Sequence, residues 1–309
     1  MTSITKIKFL ALFAILWTGA APAWCAFSGA SFLKIGVGAR ALGLSSAYTA
    51  VADDVTALYW NPAGLASLHK RELSAMHAEL FAQSRYNFLG YAHPTRVGTF
   101  AFGAAYLNQG TLEGRGEDRR ATSDFSASDL ALTFAGSRRL TPEWSLGASV
   151  KVIRSGIAGE SAGGLAFDLG ADWKLPGGKL RAGTAIQNAG PKMKFLEQGY
   201  HLPLTFALGA SFEAAKGLLF SADARQRVYE GDFSLAAGAE FSPVSMLTLR
   251  AGYLAAAAKT TQAGSGRIAD FAGLGMGLGF KLGSVAVDYA FSPAGELGQT
   301  QRLSLGVRF

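Results

Sequence analysis

Gly159-Glu160-Ser161-Ala162-Gly163 has the G-x-S-x-G spacing of a serine nucleophile elbow. That motif does chemistry only between a strand and a helix. There a sharp turn exposes the hydroxyl, backbone N–H groups form an oxyanion hole, and an acid and a histidine follow. Here a strand pattern follows, and the only later histidine is His201, in a Pro-bounded loop. The segment reads as a Gly/Ser-rich loop and acyl transfer is not expected. Gly273-Leu274-Gly275-Met276-Gly277-Leu278-Gly279 looks like a nucleotide-binding glycine run, yet no helix opens after it. Its alternation instead predicts a strand whose glycine face allows a second backbone to come close. His69, His77, His93 and His201 lack metal-ligand spacing. Cys25 is the one cysteine, so neither an intrachain disulfide nor a cysteine metal cluster can form. No catalytic residue, metal or cofactor is expected. The formal net charge of +7 comes from basic residues scattered singly. A nucleic-acid partner would want them gathered on one face.

The elements that carry these residues are strands. From about residue 98 the dominant period is two. In Trp144-Ser145-Leu146-Gly147-Ala148-Ser149-Val150-Lys151-Val152, one parity is apolar and the other is Ser, Gly, Ser, Lys. Leu165 to Trp173 repeats this, with Asp168 and Asp172 on the polar parity. Successive side chains of a strand point to opposite faces, so each run has one apolar and one polar or small face. Similar runs are 130–138, 204–213, 218–227, 233–241, 247–253, 274–281, 285–291 and 303–309.

A soluble sandwich would also alternate. Three features favour a membrane barrel. The runs are about 9–11 residues long, the length a tilted strand needs to cross a bilayer. The polar parity carries Lys151, Asp168, Asp172, Asp223, Arg225, Glu240, Arg250, Asp288 and Arg302, a composition suited to a hydrated or filled lumen. Short connections alternate with longer ones, among them 108–128, 188–201 and 257–267. The fold class expected is all-β: a fourteen-stranded antiparallel transmembrane barrel over residues 69–309, both ends on the periplasmic side. Two strands, near 72–79 and 86–93, alternate poorly. Trp144 and Trp173 fall beside short turns, where an aromatic girdle would sit. The ending Leu303-Ser304-Leu305-Gly306-Val307-Arg308-Phe309 resembles the C-terminal signal by which outer-membrane barrels are recognised for assembly.

Residues 1–26 read as a secretory signal, with Lys6 and Lys8 before the apolar run from Phe9 to Trp17 and small residues after it. That run is too short for a spanning helix, which needs about 20 residues. The mean hydropathy of +0.20 is therefore spread along the strands. Export to the bacterial outer membrane is the expected localisation, with outer-membrane lipids as partners.

Residues 27–68 differ from the rest. Small residues surround Arg40, Asp53 and Asp54, and Asp53 is placed to cap a helix over Val55 to Tyr59 that Pro62 ends. The carrying stretches are Gly38-Ala39-Arg40-Ala41-Leu42-Gly43, Ala52-Asp53-Asp54 and Tyr59-Trp60-Asn61-Pro62-Ala63-Gly64-Leu65. They resemble the N-terminal signature of the PorV/PorQ family within the FadL-like outer-membrane transporters. The departure is Leu44-Ser45-Ser46, where a Met-Gly-Gly-like run would be expected. The resemblance implies that this segment folds into the lumen as a hatch. Arg40, Asp53 and Asp54 would then need partners, since buried charge is costly unless paired. Arg225, Arg250, Asp168 and Asp288 are the expected ones. The resemblance further implies passive transport of hydrophobic or amphipathic small molecules. Its alternative implication is a non-enzymatic docking or shuttle barrel for exported protein partners.

Overall fold

The computed structural model describes residues 28–115, 120, 122–256, 273–293 and 299–309. The expected signal segment, Cys25 and the 257–267 connection lie outside the described residues, as does part of the 108–128 connection.

Among the described residues sixteen strands follow one another: β1 (Glu72–Glu79), β2 (Arg85–Pro94), β3 (Thr99–Leu112), β4 (Phe125–Arg139), β5 (Trp144–Ile157), β6 (Glu160–Lys174), β7 (Leu180–Ala189), β8 (Met193–Phe195), β9 (Gln198–Tyr200), β10 (Thr205–Ala215), β11 (Leu218–Arg227), β12 (Asp232–Val244), β13 (Leu247–Ala256), β14 (Leu274–Leu282), β15 (Val285–Pro293) and β16 (Gln299–Arg308). Fourteen of them form a closed antiparallel barrel, while β8 and β9 make a separate hairpin. β16 returns to pair with β1, Glu72 opposite Arg308. Reciprocal backbone bonds of 3.0 Å between Arg71 and Phe309 extend that seam. Closure leaves no unpaired edge, which is how strands can stand in lipid.

The outward parity is apolar and uncovered: Phe102, Phe134, Val152, Phe167, Leu235 and Leu305 are each about half exposed. A soluble monomer seldom carries so continuous an apolar surface. Trp144 and Trp173 face each other across β5 and β6 and stack at 5.4 Å, 7° from parallel, at the end of the barrel that holds the short turns.

Several expectations need correction. β1 alternates in burial without a break, although its composition does not. Its inward Glu72 and Met76 are engaged by the N-terminal segment, so inside and outside are not polar and apolar there. The 9–11-residue span undercounts β3 to β6, which run to 14 or 15 residues. Gly159–Gly163 is not a loop. Ala158 and Gly159 form a tight turn with φ of 52° and 88°, and Ser161 already belongs to β6. The two-residue turn lets the ladder between β5 and β6 run unbroken to Ile157 and Glu160.

Candidate functional site

Residues 28–68 pack against the inward face of the barrel. The segment contains a 3-10 turn (Ser31–Lys34), helix α1 (Ala39–Gly43), helix α2 (Ala57–Trp60) and a second 3-10 turn (Pro62–Ser67), and with the residues between them it carries most of the largest fully buried side chains among the described residues, Trp60 and Tyr48 foremost. The segment starts at the barrel end that holds the longer loops. There Gly29 N–H donates to His201 O, and Ser28 and Lys34 reach Glu230. It finishes at the short-turn end, where Arg139 donates to Ala66 O.

Its charges are paired, differently from expectation. Arg40 donates from Nε and Nη2 to Glu240 at 2.9 and 3.0 Å and from Nη1 to Asp53 at 2.5 Å. Arg250 closes the network, 2.6 Å from Glu240 and 2.6 Å from Asp288. Asp53 and Asp54 therefore find their cation in Arg40 of their own segment, not in Arg225 or Arg250. Asp168 is the partner of Lys151 at 2.8 Å. The expected side-chain cap is not made: Thr56 stands at the N-cap of α2 without one. Asp54, not Asp53, accepts Thr56 N–H and the Thr56 and Tyr48 hydroxyls, and α2 begins only at Ala57. Asp53 lies three residues before that position, and its carboxylate accepts from Arg40 instead. Asn61 adopts extended backbone before Pro62, ends α2, and caps the next turn by accepting Ala63 N–H.

The wall grips the segment's backbone through polar side chains. Asp223 accepts Tyr48 N–H, Thr49 N–H and the Thr49 hydroxyl, and Arg225 pairs with Asp223 at 3.0 Å. Arg225 also donates to Ser46 O and lies 4.4 Å from the Trp60 ring centroid. Asn61 donates to Thr49 O and Ala171 O, and Gln187 donates to Tyr59 O and Trp60 O. The Tyr59 hydroxyl donates to Leu33 O. Gly64 lies so near Ala52 O that a Cβ could not fit, and Gly147 and Gly170 of the wall face Pro62 and Asn61 as closely. The glycine strand behaves as its alternation predicts. Gly275 and Gly277 admit α1 and the residues after it, while Met276 and Leu278 face outward. Asp172 pairs with Arg181 at 3.0 Å. Arg302 is buried and has no carboxylate partner among the described residues; the phenols of Tyr59 and Tyr86 are its electrostatic neighbours.

Several anchors escaped the sequence reading. Glu72 accepts Val55 N–H and the Arg308 guanidinium, Met76 Sδ accepts Gly38 N–H, and Ser304 accepts Ala39 N–H. Only the β1–β16 closure brings these together, and no local spacing signals it. Glu230, in the connection from β11 to β12, was likewise not foreseen. Burial opposes its charge. Donation from Ser28 and Lys34, with the positive charges of Lys34 and Arg227, outweighs that and holds its carboxyl below the usual value.

Between the segment and β2 to β5 lies a cavity of about 20 Å³, lined chiefly by Leu33, Val37, Leu58, Tyr59, Phe88 and Lys151. That is room for roughly one water. Lys151 donates to Asn188 Oδ1, and Asn188 N–H donates to Asp168. This cluster sits where the β6–β7 register slips between Phe167 and Leu169. The wall's ladder is thus interrupted beside the cavity. No group of His, Cys, Asp and Glu able to hold a metal occurs among the described residues. No hydrogen bond joins Ser161 to His201, whose ring stacks on Tyr229 at 3.9 Å.

Solved structures share this architecture. A Pseudomonas aeruginosa FadL homologue superposes with a TM-score of 0.63 at 15% identity, covering 92% of this chain and 99% of its own. The Ralstonia pickettii toluene transporter TbuX gives 0.61 at 15% identity over 89% and 98%, and the Pseudomonas putida toluene transporter TodX gives 0.60 at 14% over 88% and 96%. At such identities the likeness is one of fold: this is a FadL-like barrel. No curated protein sequence matches the chain. A family model does match residues 26–186, more than half the length, and the chain therefore belongs to the uncharacterised protein family UPF0164.

Proposed function

We propose that this protein is an outer-membrane channel for hydrophobic or amphipathic small molecules, with residues 28–68 as its hatch. The carrying observation is the apolar cavity between that segment and the wall, next to the interrupted β6–β7 ladder. A cavity of about 20 Å³ cannot hold such a ligand, so the segment or the slipped strand pair must move to admit one. The buried Arg302, without a carboxylate partner among the described residues, favours an amphipathic ligand with an acidic group over a neutral hydrocarbon. The periplasmic side is the short-turn end and the cell exterior the end with the longer loops. Transport by this route needs no covalent chemistry.

The test is uptake of a fluorescent fatty acid into liposomes containing the protein. Deleting residues 28–60 should raise leak or abolish selective uptake; unchanged permeability would sink the reading. Replacing Arg302 with Met should lower uptake of the acid more than that of its methyl ester.

One observation favours a second reading, an accessory barrel that docks exported proteins: the lumen is almost filled and the segment is held by many wall contacts. Native mass spectrometry from mild detergent separates the two. A retained small amphiphile supports the channel, and a retained protein partner without one supports the docking barrel.

A further inference from the structure

Cations that stand singly in the sequence are gathered by the fold at one end of the barrel. Antiparallel pairing puts the turns β2–β3, β4–β5, β6–β7, β10–β11, β12–β13 and β14–β15 on one rim, with the β1–β16 seam beside them. From the seam to the β6–β7 turn that rim carries Lys70, Arg71, Arg96, Arg138, Lys174 and Lys179, all exposed. None of these makes an ion pair among the described residues. The carboxylates of Asp172 and Glu72 at this end are inward and already paired, with Arg181 and Arg308. Glu143 and Glu213 are the exposed carboxylates of the rim, and the Thr141 hydroxyl donates to Glu143 at 3.0 Å. Lys216 and Lys281 continue the collar on the far side.

The opposite rim differs. There Lys34 pairs with Glu230, Arg115 with Glu113 and Arg227 with Asp232, so cation and carboxylate offset each other locally. The uncompensated positive charge belongs to the short-turn end.

The neighbours of these cations indicate what the collar faces. Val97 follows Arg96 and is 64% exposed, and Leu140 follows Arg139 and is 57% exposed. Leu180, next to Lys179, is exposed as well. Arg138 lies on the outward parity of β4, in register with Leu146, which stands two residues from Trp144 of the stacked tryptophan pair. An acidic soluble partner would match the charges and leave these apolar side chains without a place. A bilayer surface suits both kinds: apolar side chains enter the acyl boundary, and long basic ones reach back to the phosphates. The collar is also continuous with the apolar outward face of the strands. Successive short turns are two strands apart, about 12 Å around a barrel of tilted strands, so each meets a different head group.

We propose that the collar from the β1–β16 seam to the β6–β7 turn selects anionic phospholipid, of the phosphatidylglycerol type, in the leaflet that it faces. The proposal rests on the membrane-barrel reading and is independent of what passes through the lumen.

The experiment places the whole protein in nanodiscs of equal phosphatidylethanolamine and phosphatidylglycerol and counts retained lipids by native mass spectrometry. Wild type should retain phosphatidylglycerol over phosphatidylethanolamine roughly threefold, since basic side chains near a surface attract anionic lipid additively. R96Q/R138Q/K179Q should abolish that preference, and R96K/R138K/K179R should keep it. R85Q/K192Q/K194Q removes as many exposed cations from the opposite rim and should leave the preference in place. Heat-modifiable gel migration checks that each barrel forms. Equal retention of the two lipids by wild type, an undiminished preference in R96Q/R138Q/K179Q, or an equal loss in R85Q/K192Q/K194Q would each overturn the assignment. So would an acidic protein retained on extraction from native membranes without any lipid preference in nanodiscs. Wild type that fails to insert would overturn the membrane reading, and the proposal with it.

Discussion

Ser45 and Ser46 occupy left-handed backbone, with φ of 49° and 73°. These are the positions where the PorV/PorQ-like signature leads one to expect glycines. The strain has a local reason: the turn brings Ser46 O to the Arg225 guanidinium and lets the Ser45 hydroxyl donate to Gly273 O. Left-handed backbone costs a non-glycine residue roughly 1–2 kcal/mol. S46G loses no hydrogen bond described for its hydroxyl, so it should stabilise the barrel by about 1 kcal/mol in urea unfolding; destabilisation would show that the serine is needed. Glu240 is the opposite case. It joins Arg40 of the segment to Arg250 of the wall, and all three side chains are largely buried. E240A leaves two buried guanidinium groups short of an acceptor and should cost about 3 kcal/mol. A loss below about 1 kcal/mol would mean that Asp53 and Asp288 suffice to hold the two cations.

At the scale of elements, the segment is fixed to the wall at its two ends by different physics. Near Asn61 and Pro62 the fixing is steric, against Gly147 and Gly170. G170A places a methyl group where Asn61 Oδ1 lies, so the segment has to leave the wall there and the Asn61 bond to Ala171 O is lost. Single-channel conductance should rise while the barrel stays folded; an unchanged closed channel would show that the contact does not seal it. Near Ser28 and Lys34 the fixing is electrostatic. The Glu230 carboxyl is held below its unbound value, so its stabilising contribution is complete above about pH 4.5 and is lost as pH falls through the lowered folded value. Hydrogen exchange at residues 28–34 should accelerate on that acid side in the wild type. In E230Q it should already be fast at neutral pH and show no acid step.

At the scale of the whole molecule, the barrel supplies a cylinder and the N-terminal segment most of its core. The uncovered apolar band needs lipid around it, and the nearly filled lumen needs movement before anything can pass. Both conclusions follow from where the two faces of each strand point. A barrel lacking residues 28–60 should therefore keep its heat-modifiable gel shift while losing its closed state. Complete failure to assemble would make the segment a folding core instead of a hatch.

Alternation along β4 to β6 and β10 to β16 was enough, by itself, to determine the all-β class and the inward parity of those strands, while the count of fourteen also needed the poorly alternating runs near 72–79 and 86–93. A strand's two faces are written directly into its residue order, and each expected lumen charge lies on the inward face. β1 was less legible, because the N-terminal segment turns its inner face into a packing surface for Met76 as well as Glu72. Pairing was not legible at all. Whether Arg40 meets Asp288 or Glu240, or whether Glu72 meets Arg308, depends on register and on ring closure across more than two hundred residues. No local pattern encodes that. The length of β5 and β6 was hidden for a similar reason: Gly159 to Gly163 has the composition of a loop, and only the cross-strand ladder of the hairpin makes it strand from Glu160 on. Only the tertiary structure decided which charges pair and how closely the N-terminal segment packs against the wall.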